Sequence, residues 1–232
     1  MFSLQTIINL DTYITLWLNS FHTDYLDNFM EFCTGRFVWI PFYLSLAYIT
    51  YRKYAWKECL LIIFLAIILL IINDQISSSL IRSYVARMRP ANPDNPISSM
   101  VLIVDGYRGG RYGFPSAHAA NCWGLMSFIS LIFYKNKAIK ILMIVWALLL
   151  CYTRIYLGVH YVGDILAGML MGFINSILIY LIIKYLNYSH KIIININNNS
   201  YKKIVKLPLI TFSLTIIIML ILSAFFDPNI KL

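Results

Sequence analysis

Long uninterrupted apolar blocks dominate the pattern of hydrophobic and polar positions along this chain. They fall at 36–51, 58–77, 117–134, 138–156, 161–185 and 206–226. A helix needs about 20 residues to cross a hydrocarbon core of about 30 Å, so the first and fourth blocks are short for a span. Blocks without an amphipathic stripe are typical of helices in lipid. The pattern predicts an all-α fold, a polytopic membrane helical bundle with about six transmembrane helices.

The two ends of the chain depart from this pattern. Residues 4–22 alternate apolar and polar side chains at helical spacing, which predicts an amphipathic helix lying at the membrane interface. Asparagines at positions 195, 197, 198 and 199 predict a polar linker over 187–200. The predicted organisation is an interfacial segment 1–35, a transmembrane core 36–186, and a linker with a C-terminal transmembrane helix, 187–232.

Composition supports a membrane protein and narrows its partners. The chain is 60% hydrophobic and 12% charged, where soluble domains have about 25% charged residues. Its net charge is +9, but Lys and Arg lie between the apolar blocks, so the lipid bilayer is the predicted partner and nucleic acid is not. Four cysteines (33, 59, 122 and 151) lack CxxC or metal-ligand spacing and are interpreted as small apolar residues.

Basic residues also predict an orientation. Lysines cluster in alternate connections, near 53–57, 135–140 and 184–206. The positive-inside rule makes this side cytoplasmic, which places residues 78–116 and the turn near 154–161 outside. A composition rich in Ile, Asn, Lys and Tyr favours a bacterial source. The predicted location is therefore the bacterial inner (cytoplasmic) membrane. Residues 78–116 and the turn near 154–161 are predicted to face the periplasm or the outside.

Residues 82–111 contain five arginines and no lysine, although eleven lysines occur elsewhere. The five are Arg82, Arg87, Arg89, Arg108 and Arg111. A guanidinium group offers a rigid fork of donors that matches phosphate oxygens, whereas lysine is a hydrated point charge. Five such groups exceed what one phosphate requires, so Arg87, Arg108 and Arg111 are candidate head-group contacts. The alternative is ordinary snorkelling of long side chains at the interface.

A histidine and an aspartate lie four residues apart at the start of the fifth apolar block. If a helix begins near His160, Asp164 shares its face. The carboxylate can then accept the proton of one imidazole nitrogen and leave the other free for nucleophilic attack. A buried His–Asp pair that only ties helices together is an equally good reading of these two residues alone.

A second segment, from Pro115 to His118, lies where the third apolar block begins. Unpaired amides at a helix start attract an anion, and Ser116 can either cap the helix or donate to phosphate. His118 can protonate a leaving-group oxygen as imidazolium, although a plain interfacial histidine is the simpler reading. Together with the arginines, these parts fit phosphoryl transfer. No cluster with metal-ligand spacing accompanies them, so the predicted chemistry needs neither metal nor cofactor.

Three segments together resemble the type-2 phosphatidic acid phosphatases, which are related to vanadate haloperoxidases. That family's signature is Lys-x6-Arg-Pro, then Pro-Ser-Gly-His, then Ser-Arg-x5-His-x3-Asp. Here the segments read Arg82-x6-Arg89-Pro90, Pro115-Ser116-Ala117-His118, and Thr153-Arg154-x5-His160-x3-Asp164. The order and internal spacings are kept, and the resemblance covers about residues 25–185.

The resemblance implies a role for each matched residue. His160 would attack phosphorus and form a phosphohistidine, Asp164 would orient it, and His118 would protonate the departing lipid oxygen. The phosphoryl oxygens would be held by Arg82, Arg89, Arg154, Ser116 and the amides near Ala117.

Three positions depart from the family pattern. Arg82 replaces Lys and keeps the charge, and Thr153 replaces Ser and keeps the hydroxyl. Ala117 replaces Gly, which adds a methyl group where the backbone would approach phosphate and disfavours positive φ. This last change is the one expected to weaken or narrow activity.

The leading functional prediction is a metal-independent membrane lipid phosphatase. Substrates implied by the resemblance are undecaprenyl diphosphate, lipid A phosphate and phosphatidylglycerol phosphate, and the surplus arginines slightly favour a diphosphate or a multiply phosphorylated head group. The alternative is a non-catalytic phospholipid-binding or transport protein that retains the phosphate clamp. A vanadium haloperoxidase shares the motifs but is remote, because its known members are soluble. The sequence does not decide the oligomeric state.

Overall fold

The computed structural model describes residues 3–35, 37–190 and 204–225, without the side chains of 186–190. This part of the chain is almost entirely helical, which confirms the predicted fold class. Its helices are α1 Leu4–Asn19, α2 Asp24–Thr34, α3 Ile40–Lys53, α4 Trp56–Asp74, α5 Arg82–Val85, α6 Ala117–Ile132, α7 Lys137–Tyr156, α8 Val162–His190 and α9 Leu207–Phe225. The predicted linker lies mostly outside the described residues.

Four helical stretches are long and apolar enough to cross a membrane. They are Trp56–Val85, Lys137–Tyr156, Val162–Tyr185 and Leu207–Phe225. Helix α6 has 16 residues and α3 has 14, which correspond to only about 24 Å and 21 Å. Each predicted span therefore contains a helix, but two of the six are shorter than the hydrocarbon core.

The second span, predicted at 58–77, is longer in the structure. It continues from α4 through a π-helical segment, Gln75–Ile81, into α5, so that one helical rod of 30 residues ends at Val85. Ala86 then adopts a left-handed backbone conformation with φ of 48°, which turns the chain back over the end of the rod. π-Helical segments are frequent at functional sites, and this one immediately precedes Arg82.

Small residues allow α6 and α8 to pack with their backbones almost in contact. A Cβ atom at Gly172 would collide with the carbonyl oxygen of Ala120, and one at Gly168 with that of Ser116. Close approach through small residues is how helices associate in lipid, where the hydrophobic effect provides no driving force. This packing holds the start of α6 against the first turns of α8, where the catalytic motifs lie.

Helix α1 is amphipathic as predicted, but its polar face points into the protein. Thr15 and Asn19 are buried, whereas Leu4, Tyr13 and Trp17 are more than half exposed. Asn19 donates to the carbonyl oxygen of Tyr156 at 2.7 Å and accepts from the amide of Leu102 at 2.8 Å. The apolar face that remains exposed suits contact with lipid, and its placement at the interface stays a prediction.

Aromatic side chains join α9 to the rest of the bundle. Phe212 stacks on Trp39 with ring centroids 5.7 Å apart, and Trp39 meets Trp146 of α7 edge to face at 6.4 Å. Trp39 also donates from its indole nitrogen to the carbonyl oxygen of Cys33 at 2.8 Å. The C-terminal helix therefore contributes to the core between α3 and α7.

Two of the lysine-rich connections, near 53–57 and 135–140, meet at one end of the bundle. Lys53, at the end of α3, donates to the carbonyl oxygen of Ile132 at the end of α6, at 2.6 Å. Helices α6, α7 and α8 alternate in direction, so the start of α6 and the end of α7 lie at the other end. The three motifs therefore share the end opposite the lysines.

Candidate active site

Backbone hydrogen bonds bring the three motif segments together. The amide of Ser116 donates to the carbonyl oxygen of Asp164 at 3.0 Å, which joins the second segment to the third. The amide of Ala91 donates to the carbonyl oxygen of Gly158, also at 3.0 Å, which joins the first segment to the third. Main-chain hydrogen bonds, as well as helix packing, therefore fix the relative positions of three segments that are distant in the sequence.

His160 and Asp164 form a buried dyad. His160 is 2% exposed and Asp164 is fully buried, and Nδ1 of His160 lies 3.4 Å from Oδ2 of Asp164. Nε2 of His160 lies 3.2 Å from Nη1 of Arg89. Because a carboxylate can only accept and a guanidinium can only donate, the proton belongs on Nδ1 and the lone pair on Nε2. Burial lowers the pKa of His160 from 6.5 to about 4, against the opposing effect of Asp164, so the ring is neutral at pH 7.

The sequence predicted that His160 and Asp164 share one helical face if a helix begins near His160, and this condition is not met. Helix α8 begins at Val162, so His160 precedes it by two residues. The side chain of Asp164 instead folds back over the helix start and accepts from the amide of Tyr161 at 3.0 Å. This local cap, rather than i to i+4 stacking within a helix, brings the carboxylate to the imidazole.

Arg89 is the arginine in direct contact with His160. It is 8% exposed, and it also donates to the carbonyl oxygens of Tyr112 and Val159, each at 3.1 Å. Burial, followed by repulsion from Arg82 and Arg154, lowers the pKa of Arg89 to about 10. The group therefore stays charged at neutral pH, and three arginines that repel one another form a cluster suited to an anion. We call Arg82, Arg89 and Arg154 the anion site.

Several buried nitrogens in this region have no hydrogen-bond partner within the described residues. They are the buried Nε of Arg82, Nε of Arg154 and Nε2 of His118. Arg154 uses another nitrogen, Nη1, to donate to the hydroxyl of Thr34 at 2.8 Å. An unsatisfied buried donor costs about 1–3 kcal/mol. One such group from each motif segment indicates a site that a ligand with several acceptor oxygens would complete.

The start of α6 supplies a cap and an ordinary helical backbone. The hydroxyl of Ser116, which is fully buried, accepts from the amide of Ala119 at 3.3 Å. Ala117 begins the helix, and the described non-glycine residues with positive φ are Ala86 and Asp105. The family's glycine is therefore not needed here for backbone conformation. Thr153, the other departure, donates its hydroxyl to the carbonyl oxygen of Leu150 at 2.7 Å within α7.

The candidate head-group arginines have three different environments. Arg87 binds two carboxylates, Asp164 at 3.0 Å and Asp11 at 2.7 Å. Arg108 donates to the carbonyl oxygen of Ala91 at 2.7 Å and to the hydroxyl of Ser98 at 3.0 Å, so it holds the loop together. The side chain of Arg111 is 60% exposed, with its nearest carboxylate 3.9 Å away. The structure thus brings Arg87 to the dyad and keeps the other two in the loop.

An apolar cavity of about 700 Å³ adjoins the site. It lies among α3, α4, α6 and α7, and its polar edge includes Thr34, His118 and Asn121. Ligand pockets are typically 300–1,000 Å³ and mostly apolar. Since Thr34 also accepts a hydrogen bond from Arg154, this residue joins the lining of the cavity to the anion site.

Two residues beside the dyad were not found from the sequence. A Cβ at Gly113 would lie 2.9 Å from Oδ2 of Asp164 and 3.4 Å from Nδ1 of His160, so a side chain there would press on both. Asp11 reaches the site from α1. Its signal was the spacing of Asp11, Thr15 and Asn19, which puts three polar residues on one face of a helix otherwise rich in apolar side chains.

Comparisons with known proteins agree with this arrangement. A family model described as the PAP2 superfamily matches residues 59–188. The Lipid A 4'-phosphatase of Bacteroides thetaiotaomicron is 40% identical over 179 residues, covering 77% of this chain and 79% of the relative. The Lipid A 4'-phosphatase of Porphyromonas gingivalis is 33% identical over 184 residues, covering 78% and 76%.

Two solved structures share the fold. The transmembrane PAP2 type phosphatidylglycerolphosphate phosphatase from Bacillus subtilis superposes with a TM-score of 0.58 at 19% identity, covering 78% of this chain and 87% of that one. Aquifex aeolicus LpxE gives a TM-score of 0.50 at 24% identity, covering 74% and 95%. The family model, the identities and the coverage confirm the resemblance carried by the three motifs: the chain belongs to the PAP2 superfamily.

Proposed function

We propose that this protein is a membrane lipid phosphatase that removes a phosphate monoester from lipid A through a phosphohistidine on His160. The observation that carries the proposal is the hydrogen bonding of the dyad. Nδ1 faces a carboxylate and Nε2 faces a cationic donor from the anion site, so the nucleophilic lone pair points to where a phosphoryl group would bind.

The first chemical step follows from that geometry. A phosphoryl oxygen accepts hydrogen bonds from Arg89. Nε2 of His160 then attacks phosphorus as the bond between phosphorus and the lipid oxygen breaks. The proton on Nδ1 stays with the ring, whose new positive charge is balanced by Asp164. The anion site stabilises the equatorial oxygens, which is the main requirement of phosphoryl transfer.

His118 supplies the proton for the leaving oxygen. Its Nε2 is buried without a partner in the described part of the chain, and bound phosphate would favour its imidazolium form. In the second step, neutral His118 takes a proton from water, the water oxygen attacks phosphorus, and inorganic phosphate leaves with His160 restored.

A lipid substrate is supported by the apolar cavity. Its polar edge contains His118 and Thr34, and its remaining wall is formed largely by aliphatic and aromatic side chains of α3, α4 and α6. An acyl chain placed there would hold its phosphate at the anion site. A small soluble ester would lack this binding energy.

Lipid A is favoured among lipids by the names of the two curated relatives. The sequence alone slightly favoured a diphosphate, because three of its arginines exceed what one phosphate requires. That argument weakens, since Arg87 binds carboxylates and Arg108 binds the loop. One anion site built from three arginines fits a monoester.

Metal-independent chemistry is supported by the donor set. The Asp164 carboxylate already accepts from Arg87 and the Tyr161 amide and faces His160. Three guanidinium groups supply the positive charge that a divalent cation would otherwise provide. The lysine-rich opposite end supports an orientation in which the site faces the periplasm or the outside of a bacterial inner membrane.

Purified protein in detergent tests the proposal directly. Phosphate release would be measured from lipid A, phosphatidylglycerol phosphate and undecaprenyl diphosphate, with and without EDTA. We expect the highest kcat/KM on lipid A, no effect of EDTA, and inhibition by vanadate as a transition-state mimic. Binding of lipid A without phosphate release would support the non-catalytic alternative, and a requirement for added magnesium would overturn the metal-free mechanism.

A further inference from the structure

Helix α1 caps α8, the helix that carries Asp164 of the dyad. The first amides of α8 have no partner within their own helix, and side chains of α1 accept from two of them. The amide of Val162 donates to the hydroxyl of Thr15 at 3.0 Å, and the amide of Gly163 donates to Oδ1 of Asp11 at 2.8 Å. The N-terminal helix therefore caps two amides of α8, in addition to the local cap that Asp164 provides at the amide of Tyr161.

Asp11 also begins a chain of charges that ends on the dyad. Its Oδ2 accepts from Nη2 of Arg87 at 2.7 Å, and Nη1 of the same guanidinium donates to Oδ1 of Asp164 at 3.0 Å. Oδ2 of Asp164 is then left for His160 and the amide of Tyr161. Each oxygen of the Asp164 carboxylate thus has its own partners, and Arg87 fixes which oxygen faces the imidazole.

The surroundings hold Arg87 in this geometry. Its guanidinium carbon lies 3.8 Å from the ring centroid of Tyr161, so the plane of the group stacks on an aromatic face. Gly163 leaves room for the carboxylate, since a Cβ there would lie 2.7 Å from Oδ2 of Asp11 and 3.3 Å from Nη1 of Arg87. A lysine could not replace this fork, because one ammonium cannot span two carboxylates with the same geometry.

We infer that Asp11 and Arg87 are positioning residues, through which α1 sets the orientation of the His160–Asp164 dyad. The inference rests on the proposed function, because it assigns the dyad to catalysis. Both terminal nitrogens of Arg87 donate to carboxylates, so the inference gives neither residue a contact with the phosphoryl group. They affect the angle and distance between the Asp164 carboxylate and Nδ1 of His160, and therefore the direction in which the lone pair on Nε2 points.

The test compares Asp11→Asn and Arg87→Lys with the parent protein, using lipid A and a soluble aryl phosphate. Partners that orient a site group typically contribute about 10- to 100-fold to activity. We expect kcat to fall by about this factor on both substrates, with KM changed less than about threefold, since substrate contacts are intact. Asp24→Asn is the matched control: Asp24 is exposed in the first turn of α2, and its loss should leave kcat unchanged.

Two further measurements separate positioning from folding. Arg87→Ala should regain part of its kcat when guanidinium ions are added at concentrations that leave the parent enzyme unaffected, whereas Asp11→Asn should not. The double variant Asp11→Asn/Arg87→Lys should lose less than the product of the single losses, because both changes act through Asp164.

The outcomes are distinguishable. An active parent enzyme with unchanged kcat in both single variants overturns the inference and leaves the proposed function standing. The same holds if KM rises while kcat is constant, or if the loss of activity follows the fraction of unfolded protein and guanidinium gives no rescue. A parent enzyme that releases no phosphate from any substrate overturns the proposed function, and the inference with it.

Discussion

The dyad region and the apolar cavity are neighbours that meet at His118, yet they hold their shapes by different means. Every polar side-chain atom of His160 and Asp164 has a hydrogen-bond partner, and the amide of Tyr161, Arg87 and Arg89 fix the two side chains. The cavity has few directional contacts, and its form depends on the packing of large side chains on α3, α4 and α6.

This difference predicts two kinds of mutational effect. Hydrogen bonds define angles, so a change in the dyad region should lower kcat on every substrate. Apolar packing defines volume, so a change in the cavity should raise KM for a lipid and spare a small ester that never enters it. Each prediction below tests one side of this comparison, starting with the largest expected effect.

His160→Ala should lower kcat by at least about 10⁴-fold on both lipid and soluble substrates, because removal of a nucleophile typically costs that much or more. Phosphate release in detergent is the measurement, with thermal unfolding followed in parallel to show that the variant is folded. Near-normal turnover in a folded His160→Ala protein would contradict the mechanism.

Asp164→Asn should lower kcat by about 10²- to 10⁴-fold, since loss of an orienting carboxylate leaves the imidazole in the wrong tautomer. The amide keeps the size of the side chain but carries no charge for Arg87 or Nδ1. KM for lipid A should change little. A larger effect on KM than on kcat would place Asp164 in substrate binding rather than in the dyad.

His160 should titrate far below free histidine, since burial lowers its pKa from 6.5 to about 4. The ring is neutral and nucleophilic above this pKa and becomes protonated as the pH falls through it. NMR of labelled histidine, assigned by the resonance missing in His160→Ala, measures the value. In Asp164→Asn the pKa should fall further, because the carboxylate stabilises the charged ring. A His160 pKa near 6.5 would show that the dyad is open to water.

Ala66→Phe should raise KM for lipid A by about tenfold and leave the soluble ester unaffected. Ala66 lines the cavity from α4, and a phenyl group there would occupy space assigned to an acyl chain; one to two lost methylene contacts are worth about that factor. Leu60→Phe on the lipid-facing side of the same helix, where Leu60 is 58% exposed, is the control. Equal effects of the two variants on KM would show that the cavity does not bind the substrate.

Arg111→Ala should have the smallest effect, less than about threefold in KM for lipid A and none in kcat. Its side chain is 60% exposed and 3.9 Å from Asp94, and exposed ion pairs contribute about 0–1 kcal/mol. Kinetics on lipid A and on the soluble ester provide the check. A rise in KM for lipid A well beyond threefold would restore the head-group role predicted from the sequence.

The sequence predicted the fold class and the three motif segments because both depend on local information. Apolar blocks about 20 residues long report burial in lipid directly. The motif spacings can be recognised in a single chain because each segment is short, with at most twelve residues. The helices observed at the six predicted spans, and the family comparisons, confirm these two levels.

The ends of helices and the partners of individual side chains could not be predicted as well from the sequence. The rod that includes α4 runs eight residues past the predicted end at 77, because serines 77–79 lie in a π-helical segment that hydropathy does not reveal. The same residue type occurs at positions 87, 108 and 111 of one connection, yet the tertiary structure places one arginine on the dyad, one on the loop backbone and one in solvent.

By itself, the sequence determined that this chain is a membrane helical bundle bearing a His–Asp pair, a second histidine and a set of arginines. Those properties follow from hydropathy and from residue type at short spacing. Only the tertiary structure decided that α1 turns its polar face inward, that Asp11 reaches Arg87 across 76 positions, and that Gly113 lies against the dyad. Such contacts depend on how helices pack, and the packing of α6 on α8 is set by backbone shape at glycines rather than by any local pattern.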